Sequence, residues 1–195
     1  MRRALLLAFV GAVLVVAFAG VALAAMITCP ATGGVCTGTS QADQITGSTQ
    51  ADEIHALAGD DQVSAGDGDD ELNGDQGNDT LFGEAGNDTY FGNRGDDTLA
   101  DPDANITNDE MFGGQGTDRM SGGGGDDFVS GGDGNDTRVE GEAGIDAHRG
   151  GDGNDTIMAR DGVRDTLVSG GPGTDTCFFD AGLDPTPRSC EIQNP

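Results

Sequence analysis

The chain has 195 residues, of which 35 are glycine, 5% are aromatic and none is tryptophan, and its formal net charge is −26. This excludes an ordinary globular core, because average glycine usage is about 7% and so little apolar area cannot offset chain entropy. The nine basic residues are all arginine, too few to line a phosphate-tracking groove, which excludes nucleic acid as a partner. Folding energy must therefore come from outside the chain, and multivalent cations that neutralise and cross-link carboxylates can supply it.

Met1, Arg2 and Arg3 precede an uncharged apolar run over residues 4–27. Residues 1–24 are expected to be a signal peptide, cut after the small-x-small triplet Ala22, Leu23, Ala24. An uncleaved anchor is the alternative, since this length also suffices to cross a bilayer. In either case the two arginines hold the amino end inside. The expected localisation is secreted or extracellular, with membrane contact only if the segment is retained. Cleavage would remove two arginines and no acid, taking the charge from −26 to −28.

A nine-residue phrase then repeats from Gly38 to Phe178. It is clearest in ALAGDDQVS, AGDGDDELN, GDQGNDTLF, GEAGNDTYF and GNRGDDTLA over residues 56–100, with aspartate sixth and an apolar residue eighth. The sixth-position aspartate runs from Asp43 to Asp175 in fifteen units, at intervals of nine except for one of twelve after Asp97 and three of ten after Asp136, Asp155 and Asp165. The twelve reads as a loop pushed out around Asp101, Pro102 and Asp103. A short period of this kind means stacked units, none of which buries a core alone.

The eighth positions run from Ile45 to Cys177 and include Leu167. One inward residue per nine suits very short strands that each bury one side chain. Arg138 and His148 break the rule. Val139 is expected to turn inward in place of Arg138, and His148 is expected to mark a weak or frayed coil. Glycines at loop positions one, two and four are expected to adopt positive φ and to turn carbonyls toward one point. With the aspartate they make an oxygen-only donor set, which suits Ca2+ better than Mg2+. Softer metals would ask for His or Cys in the loops.

The phrase resembles GGxGxDxUx, the nonapeptide of the RTX (hemolysin-type) calcium-binding repeat family. The resemblance implies an all-β fold, a right-handed parallel β-roll (β-solenoid) with two nonapeptides per coil and several Ca2+ ions held between loops n and n+2. Carried over residue by residue, the metal ligands are Asp61, Asp70, Asp79, Asp88, Asp97, Asp118, Asp127, Asp136, Asp155 and Asp175. Asp43, Asp52 and Asp165 are poor candidates because their loops depart from the glycine pattern. The expected domains are the signal at 1–24 (or an uncleaved anchor), an N-terminal cap at 25–37, the RTX-like roll at 38–178 and a C-terminal cap at 179–195.

Four cysteines, Cys29, Cys36, Cys177 and Cys190, flank the repeats, and an even count in an exported chain suggests disulfides. In the coil geometry that the resemblance implies, the two ends of the roll lie ~35 Å apart at ~4.8 Å per coil. A bridge needs Cα atoms within ~7 Å, which leaves Cys29 with Cys36 and Cys177 with Cys190. Zinc is not expected, since neither His55 nor His148 stands at ligand spacing from a cysteine pair.

The expected function is that of a secreted calcium-binding protein that folds on binding Ca2+ and acts as a structural or interaction module, not as an enzyme. The alternative is a calcium-dependent surface adhesin or an ice- or glycan-binding protein, because threonine recurs at position seven in Thr80, Thr89 and Thr98, although threonine also simply favours strands. A hydrolase has the least support: pairs such as Asp60 with Asp61 or Asp126 with Asp127 could serve as catalytic carboxylates, but no metalloprotease or nucleophile motif accompanies them. A surface, glycan or protein partner is not specified by the residues.

Overall fold

The computed structural model describes residues 24–102 and 106–190 with the main chain of 192–194, so the expected signal falls outside the described residues except for Ala24. The described residues form eighteen short strands: β1 (Met26–Thr28), β2 (Gly34–Thr37), β3 (Gln44–Thr46), β4 (Asp52–His55), β5 (Gln62–Asp67), β6 (Glu71–Asn73), β7 (Thr80–Ala85), β8 (Thr89–Arg94), β9 (Thr98–Ala100), β10 (Glu110–Gln115), β11 (Arg119–Ser121), β12 (Phe128–Asp133), β13 (Arg138–Glu140), β14 (Ala147–Asp152), β15 (Thr156–Ala159), β16 (Leu167–Ser169), β17 (Thr176–Phe179) and β18 (Ile192–Asn194). Odd-numbered strands and β18 make one ten-stranded sheet and even-numbered strands an eight-stranded one. Every pairing is parallel and joins strands two apart in sequence order, save that of β17 with β18. The chain is thus a parallel β-solenoid in which two nonapeptides make one coil.

The register follows from burial. Parallel neighbours place identical repeat positions opposite one another, and a slip of one residue would turn the inward side chain out to solvent. One column runs through Ile45, Val63, Leu81, Leu99, Met120, Val139, Ile157 and Cys177, the other through Cys36, Ile54, Leu72, Tyr90, Met111, Val129, His148 and Val168. Nearly all of these are completely buried. The centre of the core is the seam between the two columns, with small residues such as Ala56, Ala65 and Ala159 buried beside it.

Val139 does turn inward, paired with Met120, while Arg138 faces out to Glu140 and Glu142. The same displacement occurs three units later on the other sheet, where Val168 and not Leu167 lies opposite His148. In both ten-residue units the extra residue follows the aspartate directly, so the inward position moves from eighth to ninth. His148 does not mark a frayed coil: it is 1% exposed, its Nε2 accepts the Gly141 N–H at 2.8 Å, and it lies on the six-residue β14. Burial lowers its pKa to about 4, which keeps it neutral. Tyr90 uses the same device, its hydroxyl accepting the Gly83 N–H at 3.0 Å. A polar ring is tolerated in this core because its acceptor meets a loop N–H seven residues upstream.

Parallel pairing also extends past residues 38–178 at both ends. Ile27 pairs with Ile45 and Cys36 with Ile54. At the other end Arg188 bridges Ser169 on the eight-stranded sheet, and β18 pairs with β17 on the other. The disulfides lie at these ends, Cys29 with Cys36 and Cys177 with Cys190, at Cα separations of 5.4 and 6.0 Å.

Candidate metal sites along two buried carboxylate ladders

Each sixth-position aspartate opens a strand or precedes one by a residue or two, so its side chain lies at the corner where loop becomes sheet. All fifteen are at most 3% exposed. From Asp43 to Asp165 the main-chain N–H donates to Oδ1 of the counterpart one coil on: Asp61 to Asp79, Asp79 to Asp97 and Asp97 to Asp118, all at 2.8 Å. The same bond runs from Asp70 to Asp88 and on to Asp109 and Asp127 at 2.7 to 2.8 Å along the other edge. Two ladders of carboxylates therefore run the length of the solenoid, one beside each sheet.

Along most of each ladder only half of the carboxylate is used. The Oδ2 atoms of Asp61, Asp70, Asp79, Asp88, Asp97, Asp118, Asp127, Asp136 and Asp155 are buried and receive no hydrogen bond from a described residue. Buried polar atoms of native proteins are almost always satisfied, so nine orphans in a periodic row mark positions meant for something else. The first-position glycines lie against these oxygens, Gly74 beside Asp79 and Gly92 beside Asp97, where a Cβ would intrude.

The glycine expectation holds at two loop positions of three. Positions two and four have positive φ, as in Gly114 (113°) and Gly116 (140°), whereas first-position glycines such as Gly74, Gly83 and Gly92 do not. The first position needs glycine for close approach to the carboxylate. Position two keeps its left-handed backbone even where it is not glycine, at Leu57, Asp75, Glu84 and Asn93. Its conformation separates two kinds of loop. Thr39, Ser48 and Asp180 lack positive φ there, and each turns its N–H onto Oδ2 of the aspartate four residues on, Asp43, Asp52 and Asp184, at 2.6 to 2.7 Å. The end loops close Oδ2 of their own aspartates, although Asp52 keeps a buried Oδ1 without a partner, and most left-handed loops leave Oδ2 open.

Leu57 shows what the open form costs. A non-glycine residue in this region carries a penalty of about 1 to 2 kcal/mol, and Leu57, at φ 81° and 39% exposed, buries little in return. Leu57→Gly is expected to stabilise the calcium-loaded protein by about 0.5 to 1 kcal/mol, read as a rise in Tm. An unchanged or lower Tm would contradict the left-handed assignment.

Burial dominates the electrostatics. Desolvation raises Asp79, Asp88, Asp118, Asp127 and Asp165 to about 7, and Asp61, Asp70, Asp97, Asp146 and Asp155 to about 6. The ladder N–H opposes this in each case, and in most a neighbouring carboxylate adds to it. Asp109, beside Asp101, Asp127 and Asp88, reaches about 8. A carboxylate whose ionisation burial opposes while one oxygen lacks a donor is short of positive charge.

A second, exposed ladder runs along position five in the opposite sense. Asn78 N–H donates to Asp60 Oδ1, Asp96 N–H to Asn78 Oδ1 and Thr117 N–H to Asp96 Oδ1, at 2.8 to 2.9 Å. The paired acids thus face different ways: Asp60 serves the outer ladder, while Asp61 accepts the Asp43 N–H in the inner one. The same holds for Asp126 and Asp127, bonded to Ile145 and Asp109 respectively.

The sequence pattern of the RTX calcium-binding nonapeptide repeat matches in four copies, over residues 37–72, 64–99, 103–137 and 138–163. The chain belongs to the RTX calcium-binding repeat family. No curated protein matches it. The residues of this RTX roll fit calcium on their own chemistry, because the donors facing the loops are carboxylate oxygens with main-chain carbonyls around them. Among the described residues no three carboxylate, imidazole or thiol side chains converge on one point. One aspartate per loop completed by backbone oxygen is therefore the donor set on offer, and calcium accepts six to eight such ligands. Bound there, the ion would supply the charge that the ladders lack.

Two ladder members escape a reading based on glycine pattern. Asp109 has the same orphaned Oδ2 as the nine, although the insertion before it removes the glycines that would have flagged its loop. Asp184 accepts the Asp165 N–H at 3.0 Å and extends that ladder beyond Asp165. Its spacing of nine from Asp175 was a usable signal, obscured by the prolines that follow.

Proposed function

We propose that this RTX roll is an exported calcium-binding module that folds outside the cytoplasm when Ca2+ binds along its two aspartate ladders, and that its role is structural or mediates an interaction. The observation that carries this reading is the row of nine buried carboxylates with one oxygen each unsatisfied. The ligands proposed are Asp61, Asp70, Asp79, Asp88, Asp97, Asp118, Asp127, Asp136, Asp155 and Asp175, with Asp109 added. Residues 25–37 and 179–195 serve as caps that continue the sheets while closing the loops on themselves, each pinned by its disulfide. The second bridge, over a loop of thirteen residues, contributes about 2 to 3 kcal/mol.

The test is a calcium titration followed by calorimetry and circular dichroism, in which β-structure should appear with binding. Asp88→Ala, in the most regular stretch, is expected to lower the calcium stoichiometry by one or two, since coils contact only their neighbours. Asp43→Ala should leave the stoichiometry unchanged, because Thr39 already occupies that carboxylate. Equal losses from both would refute the division of the loops.

An ice-binding or threonine-row role receives little support from the register. Thr80 and Thr98 are adjacent on the ten-stranded sheet, but Arg119 and Arg138 follow them in the same row. An outward aromatic column offers a better contact surface for a partner: Phe91 stacks on Phe112 at 5.3 Å, Phe128 follows at 5.5 Å, and Arg149 lies over Phe128.

A further inference from the structure

One ladder begins on a residue that is not an aspartate. The main-chain nitrogen of Ala25 lies 3.0 Å from Asp43 Oδ1, with Ala25 4% and Asp43 2% exposed. Ala25 is fixed from its other side as well, its carbonyl accepting the Gln44 N–H at 2.8 Å. Ala24, one residue earlier, is exposed. The other donors to Asp43, the N–H and hydroxyl of Thr39, are neutral. The residue holding this first rung is also the one that follows the small-x-small triplet Ala22, Leu23, Ala24.

We propose that cleavage between Ala24 and Ala25 creates an α-ammonium at Ala25 that pairs with the buried Asp43 carboxylate and closes the end of the ladder, so that processing of the chain completes its fold. The inference rests on the export reading above. The step is a hydrolysis: an endopeptidase of the export machinery adds one water across the Ala24–Ala25 amide, leaving a carboxylate on Ala24 and an amine on Ala25 that takes up a proton at neutral pH. Before the cut Asp43 faces only an amide dipole from Ala25. Afterwards it faces a full charge at hydrogen-bond distance, and charge-assisted bonds are about twice as strong as neutral ones. In the central loops the carboxylate is left for a calcium ion. At this end the chain's own terminus would take that part.

The composition makes the test unusually direct. The chain contains no lysine, so the α-amine of the exported protein is its single primary amine and amine-specific acylation reports on that group alone. N-terminal sequencing of the exported protein comes first, and a chain starting elsewhere would overturn the cleavage position. For a chain starting at Ala25, acylation in saturating calcium is expected to be at least ~10-fold slower than after chelation, and Asp43→Asn should remove most of that protection while circular dichroism in calcium is retained. A serine inserted between Ala24 and Ala25 provides a second variant, since its amine lies one residue outside the rung and should react at the rate of the chelated chain. Rapid acylation of the folded wild type, or full protection in Asp43→Asn, would overturn the ion pair while leaving the export reading intact.

Discussion

Chelation of calcium at pH 7.5 is expected to abolish the β-structure of this protein, and acidification of the calcium-free chain to about pH 4.5 is expected to restore part of it. The direction follows from the raised carboxyl pKa values. In the unfolded chain an aspartate titrates near 3.9, whereas in the calcium-free fold burial pushes Asp61 up to about 6, Asp79 to about 7 and Asp109 to about 8. The fold thus binds these protons more tightly than the unfolded chain does. Its protonated form is fully favoured below about 4, and that advantage is lost as pH rises through the window from 6 to 8. Calcium competes for the same oxygens, so its affinity should rise across the same window and its binding at pH 7 should release protons. Circular dichroism against pH in chelator, and calcium calorimetry in two buffers of different ionisation enthalpy, read both effects. A calcium-free chain equally unfolded at both pH values, or binding without proton release, would contradict the burial of the ladders.

Gly95→Ala is expected to be among the most damaging single methyl groups that can be added to the roll. Gly95 holds loop position four with φ 133°, and a Cβ there would collide with the carbonyl of Gly77, its counterpart one coil earlier. The obstacle is the backbone of Gly77, and moving it would separate two coils whose ladders depend on their spacing. The expected cost is about 3 kcal/mol or more, the sum of a left-handed penalty and a steric term at the upper end for core overpacking. Gly162→Ala is the control: its φ is also positive, at 89°, but nothing lies within 4 Å of the added carbon. It should cost about 1 kcal/mol, seen as a Tm loss a third as large or less. Similar losses for both would mean that position four needs glycine for its backbone angle alone.

The repeat made much of this legible. A fixed period of nine with aspartate sixth and an apolar residue eighth leaves few ways to bury the apolar row, and stacked short strands are the one that also aligns the carboxylates. Val139 could be read as inward because Arg138 could not be, and the local pairing of the cysteines followed once the length of the roll was in view. Leu167 was misplaced because the extra residue of a ten-residue unit can fall in the loop or directly after the aspartate, and both arrangements look alike in a linear string. Only pairing with His148 shows that Val168 is the buried one. His148 looked like a defect because a histidine's acceptability inside depends on a donor, and that donor, the Gly141 N–H, is positioned by the turn of the coil.

The sequence by itself determined the period, the stacking of short strands, most of the buried column and the carboxylate per loop, because each is a one-dimensional pattern that stacking simply projects into space. Tertiary structure alone decided which carboxylates are open. Asp43 and Asp88 occupy the same position of the same phrase, yet the first is closed by Thr39 and Ala25 while the second keeps an oxygen without a donor. That difference lies in the sign of one backbone angle at the second loop position and in what the next coil places opposite it. Neither is encoded by the aspartate, since a carboxylate's share of hydrogen bonds is fixed only when the neighbouring coils are in place.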